Sequence, residues 1–329
     1  MKMRRQATLV AALMLTAPTF AGRVGAQDWP SRPLTMVVPF AAGGPTDVLG
    51  RFLAAQLREV LGQQVVVKNV TGAGGMIGSY QVAQATPDGY EFVLGSLGTH
   101  AMNQTLYKKP FYNVATDFAP VALIAEVGLV LITRKDLLPD NLQQFLAYAK
   151  ANQAKMQYGS AGAGTTTHIG CVMLNQAMGV EVTHIPYRGG GPAMQDLIAG
   201  HIDYICNIAS TAVPAIEAKM VKAIAMLTHA RSPALPDLPT AEEQGLEGFE
   251  VKNWNAVFLP RGTSPAIVKK FNEALIVVMN TPAFGERLRS IDLIVPAPER
   301  RSPDYLKKFV ASEIEKWAAP IRASGVTGD

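Results

Sequence analysis

The chain has 329 residues, 48% of them hydrophobic, which supports one large core or two smaller ones and excludes a disordered chain. Its formal charge of +4 comes from 30 Lys and Arg against 26 Asp and Glu, and Lys2, Arg4, Arg5 and Arg23 fall in the first 26 residues, which hold no acid. The remainder carries 26 of each sign, so composition gives no support to nucleic-acid binding. Those first residues read as a signal peptide: a basic start, an apolar stretch from Ala7 to Phe20 and a small-residue cleavage signal at Val24-Gly25-Ala26, with Gln27 as the mature start. The apolar stretch is short for a membrane anchor, and no later run is apolar and long enough to span a bilayer.

Strand and helix patterns alternate from there on. Leu34–Pro39 is a buried-type strand. Thr46 is placed to cap a helix whose apolar positions Leu49, Phe52, Leu53, Leu57 and Val60 share one face, with Gly62 as its stop. Val65–Val67 is a second strand, Gly72–Gly78 opens another helix, and Tyr90–Leu94 is a third strand. Val121–Thr133 is longer and carries a central Gly128, which suits a strand crossing between two lobes. Helices at Leu142–Ala151, Thr165–Met178 and Pro192–Ala199 alternate with strands at Met156–Gly159, Val182–Pro186, Ile202–Ile208 and Val221–Leu227. Thr240 and Glu243 match a capping box for a short helix, and Val251–Leu259 is a second crossing strand. Ser264-Pro265, Thr281-Pro282 and Ser302-Pro303 each start a helix with a capping hydroxyl before proline. The last helix would turn Tyr305, Phe309, Ile314 and Trp317 inward. This alternation predicts an α/β fold with mainly parallel sheet covered on both faces.

Catalytic motifs fail in detail. Gly159-Ser160-Ala161-Gly162 lacks the G-x-S-x-G spacing because Tyr158 takes the first glycine position. Gly72-Ala73-Gly74 begins like a dinucleotide fingerprint, but Ile77 stands where the third glycine belongs. No two of His100, His168, His184, His201 and His229 have helix-face metal spacing, so no metal or cofactor is expected. Cys171 and Cys206 could form a disulfide in an oxidising compartment or remain two buried thiols.

Binding features are stronger. Two segments, Leu34–Leu61 and Met156–Met178, each join an apolar strand to a helix through a glycine-rich loop. Such a loop aims orphan N–H groups and the positive end of the helix dipole at one point, which suits an anion. The first loop, PFAAGGPTD, offers Phe40, Gly43 and Gly44, with both glycines allowing close approach. Asp47 in its first helical turn compensates the dipole, orients the loop or bonds a ligand donor; beside an anion, the loop-orienting role is favoured. Gly74, Ser96 and Thr99 extend the candidate set on the same lobe. The second loop offers Ser160, Gly164, Thr165 and Thr166, of which one threonine would serve as helix cap. His168 lies a turn further on and reads as structural or as a ligand group. Arg188, beside Gly189, could pair with a carboxylate or be a plain surface arginine. Asn207 could point into the same cleft. Trp254 is a hinge or cleft wall, with core packing as the default.

These residues resemble a known family, the Bug (TctC-type) extracytoplasmic solute receptors of tripartite tricarboxylate transporters. The similarity runs from about Trp29 to Val326. It includes PFAAGGPTD, GAGGMIG at Gly72–Gly78, NQTLY at Asn103–Tyr107, GSAGAGTTTH at Gly159–His168, HIPYRGGGPAMQDLIAG at His184–Gly200, LPDLPTAEEQG at Leu235–Gly245 and KWAAPIRASGV at Lys316–Val326. The resemblance implies a type II periplasmic binding fold, two α/β lobes joined by crossing strands with a ligand cleft between them. Lobe 1 would comprise residues 27–126 and 253–329, and lobe 2 residues 127–252. It implies an organic carboxylate held by the backbone of Phe40–Asp47 and by Ser160–Thr166, Tyr187–Gly189 and Asn207. Many relatives carry an acid where this chain has Asn207, which favours a di- or tricarboxylate or an aromatic acid over an amino acid. The implied partner is a membrane permease, and nothing in the sequence demands more than a monomer. A ligand-sensing receptor for a membrane signalling protein and an exported enzyme of carboxylate metabolism are the competing readings.

Overall fold

The computed structural model describes residues 29–328; the signal-peptide segment lies outside them. In chain order the first elements are β1 (Leu34–Val38), α1 (Pro45–Leu61), β2 (Val65–Asn69), α2 (Met76–Ala83), β3 (Glu91–Ser96), the short helices α3 (Asn103–Leu106) and α4 (Val114–Asp117), and β4 (Phe118–Arg134). Next come α5 (Leu142–Asn152), β5 (Gln157–Ser160), α6 (Thr166–Met178), β6 (Thr183–Pro186), α7 (Gly190–Ile198), β7 (Tyr204–Ile208), α8 (Ala209–Glu217) and β8 (Val221–Met226). The chain closes with β9 (Lys252–Pro260), α9 (Pro265–Met279), α10 (Pro282–Arg289) and α11 (Pro303–Ala323).

The strands run β2-β1-β3-β9-β4-β7-β5-β6, with β8 on the free side of β4. β1 pairs parallel with β2 and β3, and β5 pairs parallel with β6 and β7. Two α/β halves therefore share one strand. β4, of 17 residues, pairs antiparallel with β9 from Phe118 to Gly128 and then with β7 and β8 from Leu129 onward. Glu126 is also held from the C-terminal side, since Arg300 Nη2 donates to Glu126 Oε1 at 3.0 Å and the Glu126 and Ile294 backbones exchange hydrogen bonds.

Several local expectations change. Thr46 is not the cap of α1: Gly44 holds that position with Pro45 at the first helical position, and Thr46 lies within the first turn. Thr240 and Glu243 exchange both capping-box hydrogen bonds, at 2.7 and 3.0 Å, but the chain there makes only a turn, which Gly245 ends at φ +92°. α8 was not expected, because its small residues and internal Pro214 give little helical signal. In α11 the buried face is Leu306, Val310, Glu313, Trp317 and Ile321; Trp317 is buried as expected, while Tyr305, Phe309 and Ile314 are only partly buried against the core. The carboxylate of Glu313 accepts from the indole N–H of both Trp254 and Trp317, so Trp254 is a core residue. Ser264, Thr281 and Ser302 all cap their helices through the hydroxyl.

Cys171 of α6 and Cys206 of β7 form a disulfide with Cα atoms 5.3 Å apart. The closed loop spans 35 residues, and the chain-entropy model then assigns it roughly 3–4 kcal/mol. Replacing both cysteines with alanine should lower the free energy of unfolding in urea by about that amount while leaving the circular dichroism spectrum native.

Candidate functional site

β1 and β5 both end in loops that feed helix N-termini, and the two loops face each other across the junction of the halves. The first-turn amides of α1 have no intrahelical acceptor. Asp47 fixes the approach to that turn. Its Oδ2 accepts from the Gly43 amide and from Arg51 Nε, and its Oδ1 from Asn69 Nδ2, each at 2.9 Å; Asn69 Nδ2 also reaches the Phe40 carbonyl at 2.9 Å. Burial alone would raise the Asp47 carboxyl, but the hydrogen bonds from Arg51, Gly43 and Asn69 outweigh it and hold it below the usual carboxylate range. The carboxylate is thus consumed in shaping the loop. Gly43 serves this turn through its φ of +81°. A Cβ there would meet open space and one on Gly44 only ordinary contacts, so neither glycine is dictated by close approach.

The second loop is tied as tightly. The Thr165 hydroxyl donates to the Gly162 carbonyl at 2.7 Å and accepts from the His168 amide at 3.3 Å, so Thr165 is the cap. Thr167 Oγ1 takes the Ala161 amide at 2.9 Å, and Thr166 Oγ1 donates to Asn253 Oδ1 on β9 at 2.9 Å. Beneath them, Ser160 Oγ meets His184 Nε2 at 2.7 Å, and the Gly164 amide donates to His168 Nδ1 at 3.1 Å. The two imidazoles stack with centroids 4.0 Å apart.

An inner crevice opens between the loops. Its walls include Phe40, Ser96, Thr165, Thr166 and Asn207 from the expected set. They also include Thr46, expected as a helix cap within the first loop, and Thr167 and Asn253, which sequence reasoning missed. No lining side chain is charged. Asn207 Nδ2 donates to Thr211 Oγ1 at 3.1 Å, and that hydroxyl donates to the Ile208 carbonyl, which leaves Asn207 Oδ1 as its remaining acceptor. The other expected residues stand back. Ser160, Thr99 and His168 are buried beneath the walls, and Thr99 Oγ1 accepts the Ser96 amide at 2.9 Å. Gly74 and Arg188 line an adjoining outer recess instead.

The halves meet backbone to backbone around the crevice. The Ala41 amide donates to the Arg188 carbonyl at 3.2 Å, and Gly189 packs against Ala41. A Cβ on Gly74, at φ +60°, would collide with the Ala163 carbonyl, and one on Gly98 would stand 3.2 Å from the Gly164 carbonyl.

No charged side chain lines the crevice where the two α/β halves meet. The family model described as tripartite tricarboxylate transporter family receptor matches residues 49–326. The chain belongs to that family. Among solved structures, the receptor is similar to the periplasmic binding protein BugD, with a TM-score of 0.88 and 40% identity over 91% of this chain and 99% of that one. It is also similar to MatC from Rhodopseudomonas palustris with bound malate, with a TM-score of 0.87 and 39% identity over 89% and 100% of the two chains. A UPF0065 protein of Agrobacterium vitis, in the TAR-I ttuE-ttuC' intergenic region, is 39% identical over 315 residues, 95% of this chain and 91% of its own. The receptor is a type II periplasmic binding protein of Bug type and not an enzyme. No helix among its described residues is long and apolar enough to cross a membrane.

Two buried histidines and the half-buried His184 set a pH dependence. Burial pushes His100 and His168 down to about 3, with the neighbouring His184 adding to the effect at His168, and pushes His184 down to about 4. Unfolded histidines take up protons near pH 6.5, so between that value and the folded values the unfolded chain holds more protons. Stability should fall as pH drops through this window. Urea titrations between pH 7 and pH 4 should show that loss, and His184→Gln, which keeps a partner for Ser160, should make the profile shallower.

Proposed function

We propose that this receptor captures an organic carboxylate, a di- or tricarboxylate or an aromatic acid, in the inner crevice. The observation that carries the reading is the crevice itself: helix N-termini, hydroxyls and amides from both lobes converge there with no charged side chain. Uncharged donors in a closed site bind an anion without having to neutralise a fixed cation when empty. Malate in the similar MatC supports the ligand class. In this reading Phe40, Thr46, Ser96, Thr165, Thr166, Asn207 and Asn253 face the ligand, and Gly43, Asp47, Ser160, Thr99 and His168 hold the loops in shape.

The change of partners along β4 supports a division into lobe 1, residues 27–126 and 253–329, and lobe 2, residues 127–252. Ligand then shifts an open–closed equilibrium by its preference for the closed state. The basic start and cleavage signal of residues 1–26 support export to the periplasm. There the closed form would present its ligand to the permease of a tripartite tricarboxylate transporter, as its family membership suggests.

A thermal-shift screen of purified protein against C4–C6 dicarboxylates, citrate, aromatic acids, amino acids and sugars tests the ligand class. An acid at about 100 times its Kd should stabilise by roughly 2.7 kcal/mol, and stabilisation only by sugars or amino acids would refute the reading. Closure is tested by Gly98→Val. Its branched side chain would meet the opposite lobe first, so affinity should fall at least about tenfold, the equivalent of 1.4 kcal/mol, while the ligand-free melting temperature changes little.

A further inference from the structure

A separate cavity of about 370 Å³ lies between α4, the start of β4, the end of β9 and one face of α11. None of its lining residues lines the inner crevice or the outer recess. Its floor is apolar and buried, made by Val114 of α4, Phe118 of β4, Phe258 of β9 and Val310 of α11. The fully buried His100 backs this floor, its ring stacked on Phe258 at 4.0 Å between centroids and 4.8 Å from that of Phe118. The hollow is therefore held open by rings that are already packed from behind, as in preformed small-molecule sites, which combine an apolar lining with a few polar groups.

The polar groups come from α11. Lys307, Val310, Ala311, Ile314 and Glu315 follow the i, i+3, i+4, i+7, i+8 spacing of one helix face, and all five line the cavity. The stripe starts with a cation, runs through three apolar residues and ends with an acid, the two charges roughly 12 Å apart along the helix axis. Lys307, Ala311 and Glu315 are exposed at the mouth, whereas Val310 is buried. Neither Lys307 nor Glu315 makes an ion pair among those of the described residues. A lysine stem lies along apolar surface with its ammonium in water, which sets the charge at the edge of the hollow. An apolar hollow with a cation at one end of its mouth suits an apolar body carrying one carboxylate. The acid at the other end repels a second carboxylate, so the charge pattern selects against a diacid of the same length.

We propose that this cavity is a second ligand site, selective for apolar monocarboxylates of medium chain length. The carboxylate sits at Lys307 and the chain runs along Val310, Ala311 and Ile314 over the Phe118 and Phe258 rings. The site stands apart from the crevice, so its occupant does not compete with a crevice ligand.

Methyl NMR of the purified protein labelled at isoleucine tests the site directly, with the Ile314 signal identified by its loss in Ile314→Leu. The probes are octanoate, octan-1-ol and octane-1,8-dioate. Octanoate should shift the Ile314 signal saturably, with half-saturation below about 1 mM. Lys307→Gln should weaken octanoate about threefold, as befits an exposed ion pair, and leave octan-1-ol unchanged. Octane-1,8-dioate should bind there more weakly than octanoate and gain in Glu315→Gln. Ala311→Trp fills the mouth from an exposed position, so it should abolish the octanoate response while the melting temperature stays near that of the wild type. No saturable Ile314 shift with octanoate, or a response unchanged in Ala311→Trp, would overturn the site. Equal weakening of octanoate and octan-1-ol in Lys307→Gln would overturn the carboxylate assignment. A concentration-dependent dimer that is lost in Ala311→Trp, with no octanoate response, would overturn the small-molecule reading and assign the cavity to a second copy of the chain.

Discussion

A strand buried in a sheet must find partners for its backbone on both sides, and β4 meets that demand by changing partners along its length. β9 covers it as far as Gly128, and β7 and β8 take over from Leu129. Both halves of the molecule are built outward from this one strand, and the gap between them lies where the exchange occurs. Parallel strands leave their carboxyl ends, and the helix N-termini that follow, at the open edge of such a sheet. β1 and β5 therefore deliver α1 and α6 to the same gap from opposite sides.

The site obeys a consistent division between groups that shape it and groups that face it. Asp47, Ser160, Thr99 and His168 are polar and lie close to the crevice, yet each accepts a nearby backbone amide, from Gly43, Gly162, Ser96 and Gly164 in turn. Buried polar groups left unpaired are costly, so these ties rigidify the loops before any ligand arrives. What remains for the ligand is neutral: backbone amides, threonine and serine hydroxyls, and two asparagines.

Local signals made much of this legible in the sequence. Hydroxyl-before-proline caps, glycine stops and the apolar strands are written within a few residues, and three such caps stand where expected. The two glycine-rich loops were visible for the same reason, as was the loop-shaping role of Asp47. Asn253 was not legible as a wall, because it reaches the crevice through the meeting of distant segments; Thr46 and Thr167 lie in the two loops themselves, where Thr46 was read as a cap. Asn253 owes its place to the register of β9 on β4, which no local pattern encodes. Arg188 was visible as a cation beside a glycine run, but its position in the outer recess depends on how the lobes meet. α8 was hidden because alanine, serine and threonine carry little periodic contrast.

The seam between the lobes is largely main chain, with Ala41 bonded to Arg188 and Gly74 and Gly98 approaching opposing carbonyls, and Thr166 and Asn253 add a side-chain bond across it. Lobe contact and crevice lining are thereby written mostly in different alphabets. Side chains on the crevice walls can be exchanged while the main-chain contacts of the seam stay the same. A scaffold of this kind can be retuned to a new ligand by a few wall substitutions, with the seam inherited intact.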